Sequence, residues 1–153
     1  MKKIILSLIA LLSVASCVFA DNISEINETF KKYTNDANSY SVNLPNYYVN
    51  NAKIIRVVNK KQGGQQSVII PFDRYLKELK GHSTLARAVG YKNNYTNQKI
   101  TKHGNDYKLS AIRIPRNDKT GLPCYFVFTK TNSGWKIKEE SMTTNVQTFL
   151  STK

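Results

Sequence analysis

Cysteine, glycine and acidic side chains are all scarce in this 153-residue chain. Two cysteines cannot build a disulfide framework or, by themselves, a four-ligand zinc site. The seven glycines form no phosphate-binding loop, and the sequence contains neither an HExxH zinc motif nor a GxSxG nucleophile motif. We therefore expect no metal ion and no cofactor. With a hydrophobic content of 41%, the chain is long enough for one packed core and too short for two.

The chain contains 10 acidic residues and 23 lysines and arginines, which gives a formal net charge of +13. The basic residues are spread along the chain in pairs such as Lys31-Lys32 and Lys60-Lys61, a pattern typical of solvated faces. This distribution argues against a nucleic-acid groove. A strongly positive protein still attracts anionic partners at long range, so we expect weak attraction to anionic components of the cell envelope.

The first twenty residues have the layout of a secretory signal peptide. Lys2 and Lys3 precede an uncharged, mostly apolar run over residues 4–14, and Val18-Phe19-Ala20 offers a cleavage site before Asp21. We predict a signal peptide over residues 1–20 and a single mature domain over residues 21–153. That domain would be exported to the periplasm or secreted.

Two alternatives to cleavage after Ala20 remain open. Val14-Ala15-Ser16-Cys17 resembles a bacterial lipobox, in which Cys17 would be acylated and would anchor an outer-membrane lipoprotein. The other alternative is an uncleaved anchor, because residues 4–20 reach the short end of the length that a membrane-spanning helix requires. Membrane attachment is expected only in these two cases.

Hydrophobic periodicity predicts helices and one strand in the first half of the mature chain. A helix is predicted over residues 23–38, with Asn22 and Glu25 as a capping box, and a short helix begins at Pro45. Residues 52–59 read as a strand, and residues 67–70 as a short extended segment. A second helix is predicted from Pro71 to Gly81, followed by a further short turn that ends at Gly90.

Alternation with a period of two predicts four strands in the second half of the chain. The third strand of the chain covers residues 95–103, and the next covers residues 107–115 with a slip in its alternation after Ala111, which indicates a β-bulge. Two further strands follow, and a short helix ends the chain. Predicted faces are Leu122, Cys124, Phe126 and Phe128 on one strand and Trp135, Ile137 and Glu139 on the last. The expected fold class is α+β, with helices packed on a curved, mostly antiparallel sheet.

The element order, the long first helix and the final hairpin carry a resemblance. The segment Phe126-Val127-Phe128, followed by Gly134-Trp135-Lys136-Ile137, is similar to the last hairpin of the nuclear-transport-factor-two-like (cystatin-like cone) superfamily. The resemblance covers roughly residues 23–145 and suggests an exported bacterial member. It implies a curved sheet that folds over helices around a cone-shaped pocket, and it allows a homodimer paired through the sheets.

Members of that superfamily include isomerase-like enzymes, dehydratases, partner-binding modules and periplasmic domains of secretion machinery, so fold leaves function open. The isomerase-like members use a carboxylate base with a tyrosine or a protonated acid. Here the acids near the strands are Asp106, Glu139 and Glu140, and none can be matched to those positions. We therefore name no catalytic residue and lean against an enzyme.

Histidine, cysteine and tyrosine supply the remaining candidates. His82 and His103 lie beside glycines at element ends, where exposure is ordinary, and Cys124 is expected in the core. Tyrosine is amphipathic and suits a pocket or an interface, although core packing explains many tyrosines equally well. The candidate pocket or interface residues are Tyr47, Tyr48, Tyr75, Tyr107 and Trp135.

Three functional hypotheses follow. The first is a non-enzymatic exported domain that binds a protein partner or a small apolar ligand at the cell envelope. The second is a small pocket enzyme of the isomerase or dehydratase type, and the third is an accessory periplasmic component of a secretion or conjugation apparatus. A carboxylate buried beside a tyrosine inside the cone would favour the enzyme, whereas an acid-free pocket would favour binding.

Overall fold

The computed structural model describes residues 2–116 and 120–151, and it describes side chains from residue 20 onward. The side chains of Cys17 and of the apolar run over residues 4–14, and most of the predicted turn at residues 117–121, therefore lie outside the described part. The elements are α1 (Lys2–Ser39), a 3-10 turn (Leu44–Tyr47), β1 (Tyr48–Asn59), β2 (Gln65–Ile70), α2 (Phe72–Ala88), β3 (Asn93–His103), β4 (Asp106–Pro115), β5 (Leu122–Thr131), β6 (Gly134–Thr144) and a 3-10 turn (Gln147–Ser151).

The six strands form one sheet in the order β2-β1-β6-β5-β4-β3. β1 and β6 run parallel, and every other neighbouring pair in the sheet is antiparallel. The predicted α+β class, with helices on a mostly antiparallel sheet, is confirmed. Among the residues whose side chains are described, no helix combines the length and the apolar character needed to cross a membrane.

The core lies between α1 and the face of the sheet that points toward it. Ile26, Phe30 and Tyr33 occupy successive turns of α1 and are buried, as their three-to-four-residue spacing predicts. They pack on β5, where the Phe30 and Phe126 ring centroids lie 5.0 Å apart. The predicted inward face of β5 is confirmed, because Leu122, Cys124, Phe126 and Phe128 are all buried.

The predicted start of the first helix and the predicted end of the second helix both need correction. α1 begins at Lys2, so Asn22 lies inside the helix, and its Nδ2 donates to Tyr107 Oη at 3.2 Å instead of capping. α2 runs through Gly81 to Ala88. A glycine inside a helix costs only about 1 kcal/mol relative to alanine, which the rest of α2 overcomes. The chain turns at Gly90, whose φ of +62° suits glycine.

The predicted bulge in β4 is wrong. Burial alternates without a break along β4, and the register shift lies on β3 between Thr96 and Lys99, where Asn97 has a φ of +53°. A second shift interrupts the pairing of β5 with β6. Val127 pairs with Glu139 and Phe128 with Ile137, which leaves Lys138 as an extra residue on β6. This second bulge decides which glutamate enters the interior.

Candidate functional site

A cavity of about 370 Å³ lies between the two helices and the covered face of the sheet. Its apolar wall includes Leu44, Ile70, Leu79, Met142 and Phe149. The polar part of the wall includes tyrosines, asparagines and two arginines, among them Tyr33, Asn38, Tyr40, Arg56, Tyr75, Tyr91, Asn93, Tyr95 and Arg113. This size and this mixture, apolar with a few convergent polar groups, are typical of small-molecule sites.

Glu140 is fully buried behind the cavity wall, with none of its surface exposed. Its Oε2 accepts hydrogen bonds from Tyr48 Oη at 2.5 Å and from Tyr33 Oη at 3.2 Å. Arg56 Nη1 lies 2.8 Å from Oε1 in an ion pair. A buried carboxylate is tolerated only with such partners, so these three side chains hold the charge of Glu140 inside the core.

The bulge at Lys138 explains how Glu140 enters the interior. Without it, strict alternation would place Glu139 on the face of Trp135 and Ile137, as the sequence predicts. With one extra residue in β6, Glu140 takes that face and Glu139 turns outward to accept from Tyr125 Oη at 2.6 Å. The prediction that Glu139 shares a face with Trp135 and Ile137 is therefore wrong.

Hydrogen bonds connect the cavity surface to the buried carboxylate. Tyr75 lines the cavity, and its hydroxyl lies 3.1 Å from that of Tyr48, which in turn donates to Glu140. The Arg56 guanidinium also stacks over the Tyr75 ring at 5.5 Å. We call the set Tyr33, Tyr48, Arg56, Tyr75 and Glu140 the acid–tyrosine cluster. Three of its members, Tyr33, Arg56 and Tyr75, face the cavity.

Protonation in the acid–tyrosine cluster follows from burial. Burial and the nearby Glu140 charge raise the pKa of Tyr33 and of Tyr48 well above the ordinary value, and burial likewise raises the pKa of Tyr75. Burial lowers the pKa of Arg56, but the charge of Glu140, the nearby Tyr75 and Tyr48 and the hydrogen bond to Glu140 together raise it above the ordinary value. At neutral pH these three phenols are therefore protonated and can donate hydrogen bonds.

Arg113 is the second arginine of the cavity wall, and only 5% of it is exposed. Its Nη1 donates to Asn93 Oδ1 at 2.9 Å and to Tyr91 Oη at 3.1 Å, and its Nη2 donates to the Thr143 carbonyl at 2.8 Å. All three acceptors are neutral. Its buried Nε–H has no acceptor among the described residues.

The structure brings together only two of the five candidate residues named from the sequence. Tyr48 and Tyr75 meet in the acid–tyrosine cluster. Tyr107 and Trp135 pack edge to face at 5.4 Å, away from the cavity wall, and Trp135 Nε1 donates to Glu25 Oε2 at 2.9 Å. Tyr47 is half-buried and donates to Asp36 Oδ2 at 2.8 Å. These three residues do not line the cavity, and whether they form an interface stays a prediction.

Of the two histidines and the buried cysteine, only His82 reaches the cavity wall. His82 lies exposed on the cavity wall with its Nδ1 3.0 Å from the Glu78 carbonyl, and His103 is exposed at the end of β3. Cys124 is buried as expected, and burial raises the pKa of its thiol to about 12. Across residues 20–116 and 120–151, no three histidine, cysteine or acidic side chains are arranged to hold a metal ion.

Sequence reasoning missed Glu140, Arg56 and Arg113 as interior groups. Arg56 and Arg113 do alternate with apolar neighbours on β1 and β4, in the pattern Ile54-Ile55-Arg56-Val57-Val58 and Ala111-Ile112-Arg113-Ile114. An arginine inside an apolar strand was therefore a readable signal of a buried cation. Glu140 left no such signal, because its orientation depends on the bulge.

Comparisons with known proteins agree on the fold. No protein-family model matches the chain, and no curated protein matches it. Among solved structures, an NTF2-like (nuclear-transport-factor-two-like) protein with a cystatin-like fold from Novosphingobium aromaticivorans superposes with a TM-score of 0.66 and 15% identity, over 85% of this chain and 86% of that one.

Two further solved structures carry names that mention an activity. A candidate scytalone dehydratase from the same species matches with a TM-score of 0.61 and 17% identity, over 83% of this chain and 86% of that one. A candidate dehydratase of the NTF2-like family from Streptomyces avermitilis matches with a TM-score of 0.61 and 11% identity, over 81% and 96%. Identities this low establish a shared fold and leave activity open.

Proposed function

Since the chain has the NTF2-like, cystatin-like fold with a cavity inside the cone, we propose that it binds a small, largely apolar molecule in that cavity. The observation that carries this proposal is a space of about 370 Å³ whose wall is mostly apolar but includes buried hydrogen-bonding groups from β1, β4 and α2 and half-buried ones from β3. Such groups orient a ligand while the apolar wall supplies the affinity.

Titration calorimetry with 1-octanol tests the proposal, because this probe is neutral and mostly apolar. We expect saturable binding of one molecule to the wild-type protein. Ala86 lines the cavity from α2, so Ala86→Phe should fill the space and weaken binding at least tenfold. Ala88 lies two residues further on the same helix and is exposed, which makes Ala88→Phe the matched control. Absent binding, or equal binding by both variants, would contradict the proposal.

A second candidate function is general acid–base catalysis of the isomerase or dehydratase type. The observation in its favour is the carboxylate of Glu140 buried beside Tyr33 and Tyr48, together with the names of two structural neighbours. Against it, Glu140 lies behind the cavity wall and its charge is already engaged by Arg56. A base needs direct or water-mediated reach to the proton it removes. We therefore place ligand binding first.

Proton abstraction from a nitrobenzisoxazole is a generic test of the catalytic alternative, since any accessible carboxylate base opens that ring. The alternative requires a rate above that of free carboxylate, and a rate that falls at least about a hundredfold in Glu140→Gln. Glu139→Gln is the matched control, because Glu139 is the neighbouring carboxylate on the outer side of β6. A wild-type rate at the level of free carboxylate excludes Glu140 as a base.

We also propose export to the cell envelope. The support is the charge and hydropathy pattern of residues 1–20, in which two lysines precede an apolar run and a small-residue site. Intact mass of the protein recovered from its native envelope fraction tests this proposal. A mass that begins at Asp21 supports a soluble exported domain, a mass that begins at an acylated Cys17 supports a lipoprotein, and an unprocessed mass in the cytosol contradicts export.

A further inference from the structure

The charges around the cavity do not balance. The charged side chains of its wall are Arg56, Arg113 and Glu78, together with the ionisable His82. Glu78 pairs with Arg74 at 2.9 Å along α2, and Arg56 pairs with Glu140. In the part of the chain that the structure describes, no carboxylate lies within ion-pair distance of Arg113.

A buried guanidinium without a counter-ion is costly. Desolvation of an ion in a protein interior costs several kcal/mol, and neutral acceptors offset only part of that. A guanidinium does not avoid this cost by losing its proton, since arginine is not deprotonated in proteins. Its three hydrogen bonds reach a phenol, an amide oxygen and a carbonyl, and they fix the guanidinium in one orientation.

The hydrogen bonds of Arg113 also leave one of its buried N–H donors, Nε–H, without an acceptor among the described residues. Nη1 is fully occupied by Tyr91 and Asn93. Nε–H shares one edge of the guanidinium with an N–H of Nη2. Nη2 donates to a single acceptor, the Thr143 carbonyl, which leaves its second N–H for a further partner, and a guanidinium N–H forms a strong charge-assisted hydrogen bond to a carboxylate oxygen. A fixed, buried and partly unsatisfied arginine on a cavity wall is a recognition group for an anion.

We propose that the cavity takes a monocarboxylate with an apolar body and that Arg113 pairs with its carboxylate. One uncompensated positive charge suits one negative charge, and the apolar wall suits a hydrocarbon or aromatic body rather than a sugar or a nucleotide. The proposal deepens the ligand-binding function stated above and rests on it. In this proposal Arg113 binds the carboxylate head group of the ligand, and Arg56 stays paired with Glu140.

Calorimetric titration with octanoate, octanamide and 1-octanol tests the proposal on the full-length wild-type protein. The three probes share a chain length, and only octanoate is charged. We expect octanoate to bind at least about tenfold more tightly than octanamide, because a desolvated charge pair contributes more than a neutral hydrogen bond. This comparison requires no variant, so it holds even if a substitution at Arg113 impairs folding.

A substitution at Arg113 tests whether this residue causes the preference for octanoate over octanamide. Arg113→Met should remove the preference for octanoate over octanamide while 1-octanol binding changes less than about threefold. Arg116→Met removes the same charge from an exposed position outside the cavity wall and should keep the preference. Equal binding of octanoate and octanamide, or equal loss in both variants, would overturn the carboxylate proposal and leave the cavity function standing. Absence of binding by all three probes would overturn both.

Discussion

Replacing Glu140 with leucine should destabilise the fold more than any surface substitution, because it leaves the buried charge of Arg56 without a partner. The side chains of Arg56 and Glu140 are 10% and 0% exposed, and their charged atoms lie 2.8 Å apart. Removing one partner of a buried ion pair costs about 3–5 kcal/mol of unfolding free energy. Tyr33 and Tyr48 also lose their acceptor, although their hydroxyls lie 3.1 Å apart and can bond each other. The expected loss is therefore about 3–5 kcal/mol, a large part of the roughly 5–15 kcal/mol that stabilises a typical domain.

The double variant Arg56→Met/Glu140→Leu separates the charge effect from packing. With both charges gone, no unpaired ion remains, so we expect most of the lost stability to return. Urea unfolding of the wild type, both single variants and the double variant, at pH 7 and followed by far-ultraviolet circular dichroism, gives the four free energies. The reasoning is refuted if Glu140→Leu costs less than about 1 kcal/mol, or if the double variant loses the sum of the two single losses.

Three further predictions concern other parts of the fold. Trp135→Ala should cost about 3–5 kcal/mol, because Trp135 is only 6% exposed, and unchanged thermal unfolding would show that the site is not a core site. Hydrogen bonds from Lys130 and Trp135 hold the pKa of Glu25 below 4.5, so the stabilising contribution of Glu25 should persist above its ordinary pKa and disappear as the pH falls through the lowered value. The fluorescence of Trp135, the single tryptophan, should report that step below pH 4.5, and persistence of the step in Glu25→Gln would contradict the assignment. Cys124 should resist alkylation in the folded protein at pH 8 and react only on unfolding, and rapid labelling of the native thiol would show that it is accessible.

The sequence predicted the fold class because the side chains that are buried in the structure follow the hydrophobic periodicity of the sequence. Each predicted strand and helix has a counterpart, and the alternation of Cys124, Phe126 and Phe128 identified the inward face of β5. Boundaries were less predictable. Gly81 was expected to end α2, yet a glycine without a positive φ only weakens a helix, and the chain turns at Gly90 instead.

The candidate site was less predictable because it depends on the bulge in β6. A single extra residue at Lys138 places Glu140 instead of Glu139 on the inner face of β6. No feature of the local sequence indicates this bulge. Arg56 and Arg113 sit in apolar strands and carried a readable signal. Whether each has a counter-ion depends on strands distant in sequence. Only the three-dimensional arrangement shows that Arg56 pairs with Glu140, while no described carboxylate lies within ion-pair distance of Arg113.

The most direct test of the cavity function is a nitrogen-15 NMR titration of the wild-type protein with octanoate. The account predicts saturable shifts in the backbone amides of Tyr75, Tyr91 and Asn93, all on the cavity wall, and in the Nε–H signal of Arg113. Signals from Lys108 and Tyr125, which stack together at 4.0 Å on the outer face of the sheet, should stay unchanged. Shifts confined to that outer face, or no saturable shifts at all, would contradict the account.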